Sequence, residues 1–339
     1  MEHYRILGGL GSPYSMKMRA ILRYRRLPHV WIQVNETHDA ERANVRPAVI
    51  PVIQYPDGTY HNDSTPMIYE LEARHAERSI VPADPGDAFL AYLLEDMADE
   101  WGTKIMFHYR WHRERDQKQM SEWLAYDRSP AGGLADVKRF AAFFRDRQVG
   151  RMALVGCTPQ NAPIIEDALL RLAAMFEAHV TNKPYFLFGS RPSLAEFGWY
   201  GQFSQLIVDP TANDTMREIA PFTTRWIMHM DDLSGVDGDW RAPDAALPPI
   251  VGQLLGFAGA VYLPFLEANA AALAAGEETF TVDVFGRPYT QGAFKYQARC
   301  LEGLKRAYAD LPASAKARID PMLEAAGVLT PLTRAGQTA

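Results

Sequence analysis

The sequence has 339 residues, with 35 Lys and Arg against 41 Asp and Glu, a formal net charge of −6. Hydrophobic residues make up 47% and charged residues 22%, which is typical of a folded soluble protein and argues against wholesale disorder. A mildly acidic chain without a basic domain argues against nucleic acid as a partner. Its two cysteines, Cys157 and Cys300, are too few for a disulfide framework and fit a reducing cytosol.

One apolar segment, residues 250–266, approaches the length of a membrane span. It lacks flanking Lys or Arg and contains three glycines, so we interpret it as a buried or interface helix, with a membrane span as the alternative. The sequence begins with a short strand pattern rather than an apolar leader. We therefore expect a cytoplasmic protein without a membrane span.

The first 80 residues alternate short strand and helix patterns. Apolar runs predict strands, apolar positions at helical spacing predict helices, and Gly and Pro mark the turns between them. The predicted strands are 3–8, 29–34, 49–55 and 59–61, and the predicted helices are 14–26 and 64–76. The order is βαβ followed by ββα.

After residue 87 the pattern becomes mostly helical, with one possible hairpin within 276–290. The predicted helices are 90–115, 134–149, 164–180, 194–208, 217–233, 250–275 and 291–308. The fold class is therefore α+β.

The segment from Gly11 to Arg19 places Ser12 at the point where a turn meets a helix. Free amides and the positive end of the helix dipole favour an anion there and would lower the pKa of a bound thiol. A serine hydroxyl can donate a hydrogen bond to a thiolate. Two other interpretations stay open: Ser12 only caps the helix, or the preceding glycines begin a dinucleotide loop, although its third glycine is missing.

Two further motifs extend this site. Pro51 lies inside a predicted strand, and a cis bond after Ile50 would expose the Ile50 backbone N–H and C=O to an extended peptide. Asp63 and Ser64 lie at another helix start, where the carboxylate suits an ammonium group and the hydroxyl and amides suit a carboxylate. Together these motifs predict a cradle for a short peptide that carries a thiol.

This set of motifs resembles the glutathione S-transferase superfamily over residues 3–232. The resemblance implies a thioredoxin-like βαβ–ββα domain that binds glutathione, followed by an all-helical domain for a second substrate. It implies that Ser12 activates the thiol and that Tyr14, Ile50, Pro51, Asp63 and Ser64 bind glutathione. Serines stand at both cysteine positions of the related Cys-Pro-Tyr-Cys motif, which argues against thiol–disulfide exchange.

A second match, at residues 188–197, resembles the start of the internal helix of that family. Ser193 at the N-cap and Glu196 three residues later form a predicted capping box, a structural feature rather than a catalytic one. Two departures stand out. Val49 replaces the basic residue often found before the cis-proline pair, and the tail after residue 233 is longer than in typical members.

The predicted helix 90–115 would border the site of the second substrate. Asp96, Glu100, Lys104 and His108 recur at four-residue steps on one stripe, which is either a surface of ion pairs or a polar cleft wall. We predict Trp101, Lys104 and His108 as residues of that cleft. His108 and His112 have the spacing of helical metal ligands, but no third ligand is evident, so we predict no metal.

We therefore expect an enzyme that transfers the thiolate of glutathione to a small electrophilic substrate. A binding or scaffold protein with the same fold and no turnover is the alternative. The resemblance implies a homodimer. The predicted domains are residues 1–80, 87–232 and an additional, mostly helical extension over 233–339.

Overall fold

The computed structural model describes residues 2–128, 133–182 and 185–334. The strands are β1 (Tyr4–Gly8), β2 (His29–Gln33), β3 (Val52–Gln54), β4 (Tyr60–Asn62), β5 (Thr279–Val284) and β6 (Arg287–Gly292). The helices are α1 (Pro13–Tyr24), α2 (Asp39–Arg42), α3 (Ser64–Arg74), α4 (Pro85–Met97), α5 (Thr103–Trp111), α6 (Glu114–Tyr126), α7 (Gly133–Val149), α8 (Ala162–Thr181), α9 (Leu194–Leu206), α10 (Pro210–Ile219), α11 (Pro221–Met230), α12 (Pro249–Phe257), α13 (Leu263–Ala275), α14 (Lys295–Ala309), α15 (Ala313–Ala325) and α16 (Leu329–Thr333).

The first four strands form one mixed sheet in the order β2–β1–β3–β4. β1 pairs in parallel with β2 through the crossover helix α1, whereas β3 runs antiparallel to both β1 and β4. On α1, Met18, Ile21 and Leu22 are fully buried, as their helical spacing predicts. The α+β fold class, with a thioredoxin-like domain followed by helices, is confirmed.

Contacts within the chain divide it into two compact units. Unit 1 comprises Met1–Ile80, Tyr109–Gly150 and Phe197–Asp237, and unit 2 comprises Val81–His108, Arg151–Glu196 and Gly238–Ala339. The predicted division into three consecutive domains stays a prediction, and residues 335–339 of its last domain lie outside the described residues.

The prediction of one helix over 217–233 is wrong. The segment forms two helices, α10 and α11, and the break falls at Ala220 and Pro221. Proline lacks the N–H that a continuing helix needs, but it is tolerated in the first turn of a new one. The pattern also missed α6, α15 and α16.

The predicted helix 90–115 begins earlier, at Pro85, and ends at Trp111. A π-helical turn, Ala98–Gly102, lies between α4 and α5. Because a π-helical turn contains an extra residue, it breaks the four-residue spacing that defined the predicted polar stripe. A second π-helical turn, Ala258–Tyr262, joins α12 to α13.

The apolar stretch Pro249–Ala275 is long and apolar enough to span a membrane by length and composition, and 61% of its most apolar window is buried inside the protein. At Gly259 a Cβ atom would lie 1.8 Å from the Ala326 carbonyl oxygen, so glycine permits close packing of the backbones there. This burial is what the buried-helix interpretation predicts.

Candidate functional site

Ser12 is the N-cap of α1. Its backbone is extended, Pro13 follows at the first helical position, and its Oγ accepts a hydrogen bond of 3.3 Å from the Ser15 N–H. This hydrogen bond is the one that the capping interpretation of Ser12 predicts. An accepting hydroxyl oxygen keeps its own proton for donation, and the Ser12 side chain is partly exposed. The same group can thus cap the helix and donate to a ligand.

The turn that precedes Ser12 is held by a buried polar network in unit 1. Arg110 Nη1 donates to the Gly11 carbonyl at 2.7 Å, and Gln205 Nε2 donates to the Leu10 carbonyl at 3.1 Å. The guanidinium also binds both carboxylate oxygens of Asp209, with Nε–Oδ2 and Nη2–Oδ1 distances of 2.9 Å. Burial raises the pKa of Asp209, while Arg110 opposes that rise. This network escaped the sequence analysis because its hydrogen bonds join residues 95 to 195 positions apart in the chain.

The peptide bond between Ile50 and Pro51 is cis, as predicted. Pro51 is buried directly before β3, and Ile50 is partly buried. Within the described part of the chain, neither backbone group of Ile50 pairs with another backbone group. A Cβ atom at Gly9 would lie 3.2 Å from Ile50 Cδ1, so Ile50 lies beside the turn that leads to Ser12.

Ser64 begins α3 and is buried, and the exposed Asp63 before it has φ 71° and ψ 109°. A positive φ is unusual for aspartate and occurs preferentially at functional positions. Lys17 of α1 is fully buried, and its Nζ donates to Ser64 Oγ at 3.3 Å. The Ser64 hydroxyl therefore lies beside both a buried ammonium group and a helix N-terminus. This arrangement favours an anion.

Lys17 is a functional candidate that the sequence analysis missed. The signal was present, because position 17 lies four residues before Ile21 and so falls on the buried face of α1. A lysine on an apolar face needs a partner inside the protein. Only the tertiary structure identifies Ser64 as one such partner.

Tyr14 and Val49 are two further residues of this region that the sequence singles out. Tyr14 lies in the first turn of α1 and is partly exposed, and its binding role stays a prediction. Val49, which stands where a basic residue was expected, is 54% exposed. An apolar side chain cannot neutralise a carboxylate at that position.

The residues predicted for a second-substrate cleft are buried in unit 2. Trp101, Lys104 and His108 are 0%, 2% and 0% exposed. Trp101 packs against the rings of Phe265 and Tyr289, with centroid distances of 5.6 and 5.4 Å. Their role in a cleft stays a prediction, and a substrate would reach Trp101 only if this packing opened.

The polar members of that set have partners inside unit 2. Lys104 Nζ donates to Gln291 Oε1 at 2.5 Å, and burial lowers the Lys104 pKa to about 8. His108 Nε2 lies 2.9 Å from Glu166 Oε1. Both of these partners lie outside the predicted polar stripe.

Ser193 and Glu196 lie at the start of α9. The Glu196 carboxylate accepts from the Ser193 backbone N–H at 2.9 Å and also from the Ser193 hydroxyl, and Ser193 Oγ accepts from the Ala195 N–H at 3.2 Å. The second carboxylate oxygen accepts from the Leu187 N–H. These bonds satisfy amides at a buried helix start, which is a structural function.

In residues 2–128, 133–182 and 185–334, no group of three or more His, Cys, Asp or Glu side chains is arranged to hold a metal ion. Both cysteines are buried, and burial raises the pKa of the Cys157 thiol to about 12. A thiol with a raised pKa is a poor nucleophile.

A family model for the glutathione S-transferase N-terminal domain matches residues 8–79. These residues form a domain of the glutathione S-transferase N-terminal type. The matched residues of this transferase-family domain include the Ser12 turn, the Ile50–Pro51 pair and the start of α3. A search of curated proteins found none that matches the chain.

Solved structures of two glutathione S-transferases and a maleylacetoacetate isomerase are similar to this chain at low identity. One from Methylobacterium radiotolerans, in complex with glutathione sulfonate, is 18% identical with a TM-score of 0.43, covering 72% of this chain and 99% of that one. Another from Methylobacillus flagellatus, with glutathione bound, is 16% identical with a TM-score of 0.39, covering 68% and 96%. A maleylacetoacetate isomerase from Anaeromyxobacter dehalogenans is 20% identical with a TM-score of 0.33, covering 73% and 96%.

Proposed function

We propose that this glutathione S-transferase-like protein binds glutathione in unit 1 and transfers its thiolate to a small electrophilic substrate. The observation that carries the proposal is the Ser12 hydroxyl, which lies at the N-terminus of α1 and keeps its proton for donation. The Ile50 backbone, which pairs with no other backbone group among the described residues, lies beside the same turn and suits an extended peptide.

In the proposed reaction, the Ser12 hydroxyl donates to the sulfur of bound glutathione. That hydrogen bond and the positive end of α1 both stabilise the anion, so they lower the pKa of the thiol. The thiolate uses an electron pair to form a bond to an electrophilic carbon of the substrate. In a substitution the leaving group departs with its bonding pair, and in an addition the substrate takes up a proton.

The γ-glutamyl end of the ligand fits the start of α3. Its carboxylate suits the Ser64 hydroxyl and the amides of α3, with the buried Lys17 charge behind them, and its ammonium group suits Asp63. The glycine carboxylate has no cation at Val49. We therefore expect most of the binding energy to come from the γ-glutamyl and cysteinyl parts.

Three substitutions at Ser12 separate its two functions. Ser12→Thr keeps both the helix cap and the hydroxyl. Ser12→Gly removes the hydroxyl but lowers the stability of the fold by only a few tenths of a kcal/mol, because glycine is itself tolerated at an N-cap. Ser12→Ala removes both the hydroxyl and the cap. With a chromogenic aromatic electrophile and glutathione, we expect Ser12→Gly and Ser12→Ala to lose activity together, by roughly 100-fold. Retained activity in Ser12→Gly would exclude the hydroxyl as the activating group.

A binding protein without turnover is the second candidate, favoured by the missing cation at Val49. Calorimetric titration with glutathione and with S-hexylglutathione distinguishes the two. An enzyme would bind glutathione and convert the electrophile. A binding protein of this kind would bind S-hexylglutathione, a thioether, but would show no Ser12-dependent turnover. Absence of binding of either ligand at millimolar concentration would contradict both candidates.

A further inference from the structure

The C-terminal end of α6 lies directly against the turn that precedes Ser12. A Cβ atom at Gly11 would lie 1.9 Å from Leu124 Cδ2 and 3.3 Å from Trp123 Cζ3. Leu124 therefore fills the space beside Gly11, and the indole ring of Trp123 borders the same space. Both side chains belong to unit 1, as Ser12 does. Because Gly11 is bonded to Ser12, the indole lies close to the backbone that carries the proposed thiol-activating hydroxyl.

This end of α6 is held in place by polar contacts with the first domain. Gln33 Nε2, at the end of β2, donates to Asp127 Oδ2 at 2.9 Å. The Arg128 guanidinium donates to both carboxylate oxygens of Asp39, at 2.8 and 2.5 Å. The Glu36 backbone N–H donates to the Arg128 carbonyl at 3.1 Å. A surface fixed in this way loses little conformational freedom when a ligand packs against it.

The proposed peptide site lies along the same short turn. At Gly9, two residues before Gly11, a Cβ atom would lie 3.2 Å from Ile50 Cδ1 and 3.7 Å from Gln33 Nε2. Gln33 is the residue that binds Asp127 of α6. Ile50 and the end of α6 are therefore neighbours across three residues of backbone. A group attached to the sulfur of a peptide bound beside Ile50 would lie near α6.

Trp123 offers an aromatic surface at this position. Its side chain is partly exposed, and it makes no ring contact, cation contact or hydrogen bond with another described residue. Trp111 of α5, in contrast, is buried and packs against Phe144 with a centroid distance of 5.9 Å. The face of an indole ring is electron-rich, so it attracts an electron-poor aromatic ring. Trp101 of the predicted cleft is fully buried, whereas a ligand can contact Trp123 without repacking the core.

We propose that Trp123 determines the specificity for the second substrate by packing against the ring of an electron-poor aromatic electrophile. This inference rests on the proposed function of unit 1. The electrophilic ring carbon lies at the glutathione sulfur, which forms a bond to it, and the leaving group departs with the electron pair of the bond that breaks. Trp123 takes no part in these bond changes and only binds the ring.

Two thioethers of glutathione test the proposal by calorimetry without any need for turnover. S-(2,4-dinitrophenyl)glutathione carries an electron-poor ring, and S-methylglutathione presents the same peptide without one. We expect the wild-type protein to bind the dinitrophenyl thioether at least tenfold more tightly. Trp123→Leu should weaken that binding about tenfold and leave the Kd of S-methylglutathione unchanged, and Trp123→Phe should keep most of the preference because a ring remains.

Phe222→Leu is the matched control. It removes an aromatic ring that is 62% exposed on α11 of the same unit, at a residue not assigned to the site, so both Kd values should stay unchanged. In the conjugation assay, Trp123→Leu should lower kcat/KM about tenfold for 1-chloro-2,4-dinitrobenzene. It should not change kcat/KM for allyl isothiocyanate, which has no ring.

The outcomes separate this inference from the proposed function. Equal binding of the two thioethers to the wild-type protein would overturn the role of Trp123, and so would an unchanged preference in Trp123→Leu. In both cases the binding of S-methylglutathione would still support a glutathione site. Failure of the wild-type protein to bind either thioether would contradict the glutathione site itself and this inference with it. Binding of S-methylglutathione by each variant shows that the variant is folded.

Discussion

At the residue scale, the candidate site contains a buried charge, that of Lys17. Lys17 Nζ contacts Ser64 Oγ at 3.3 Å, and the Lys17 side chain is fully buried. A charge in such surroundings interacts more strongly with a ligand carboxylate than an exposed one does. We therefore assign Lys17 a positioning role for the γ-glutamyl carboxylate.

Replacement of Lys17 by methionine should weaken glutathione binding about tenfold or more, since a charged hydrogen-bond contribution is lost. The exposed Lys138 of unit 1 offers a matched control, because Lys138→Met makes the same change of charge at a residue of α7 that is not assigned to the site. Calorimetry with γ-aminobutyryl-cysteinylglycine, which lacks the carboxylate, should show no difference between wild type and Lys17→Met. An equal loss for both ligands would contradict a role toward that carboxylate.

Lys104 makes a pH-dependent prediction. Burial lowers its pKa from 10.5 to about 8 in the folded state. Between pH 8 and 10.5 the unfolded chain therefore binds more protons than the folded one, and the folded state gains relative stability as pH rises. Below pH 8 the buried charge destabilises the fold by at most about 3 kcal/mol.

We expect Lys104→Met to be more stable than wild type at pH 7, because Gln291 Oε1 keeps a hydrogen bond from the Tyr289 hydroxyl. The difference in free energy of unfolding should shrink as pH rises from 8 to 10. Urea denaturation at pH 7, 8, 9 and 10 measures it. A difference that is constant over this range would mean that Lys104 titrates normally in the folded protein.

At the scale of elements, one arginine connects α5 to the turn before α1. Arg110 is 3% exposed and Asp209 is fully buried, so neither charge is solvated after its partner is removed. Breaking a buried pair on one side costs about 3–5 kcal/mol. The same change also releases the Gly11 carbonyl from its side-chain donor.

We expect Arg110→Met to lower the free energy of unfolding by about 3–5 kcal/mol, and Arg110→Met with Asp209→Leu to recover part of that loss. The rate of thiol transfer should fall in both variants, because in both the Gly11 carbonyl before Ser12 loses its Arg110 hydrogen-bond donor. Chemical denaturation and the conjugation assay measure the two effects. Full activity in the restored double variant would show that Arg110 does not position this turn.

Sequence patterns predicted elements well where a single periodicity extended along the segment. The strands and helices of the first 80 residues and the β5–β6 hairpin were found within a few residues. The π-helical turn Ala98–Gly102 was not predictable, because it changes the spacing within one continuous apolar pattern. α15 was missed because its apolar residues are few and Pro321 lies inside it.

At the scale of the whole molecule, we expect a homodimer. The superfamily resemblance implies it, and unit 1 leaves Tyr126, Leu134 and Phe143 each more than 60% exposed. Large apolar side chains of this kind occur at surfaces between protein chains. Sedimentation equilibrium should give twice the mass of one chain, both at low salt and at 1 M NaCl. A single-chain mass at every concentration would contradict the dimer.

By itself, the sequence determined the order of elements in the first domain, the cap at Ser12, the cis peptide bond after Ile50 and the likeness of the first domain to glutathione S-transferases. Each depends on neighbouring residues, whose backbone conformations and spacing are local properties. Only the tertiary structure decided that Lys17 lies against Ser64, that Arg110 holds the turn before Ser12, and that Trp101, Lys104 and His108 are buried. Contacts of this kind join residues far apart in the chain, so no local pattern encodes which partner a buried polar group will have.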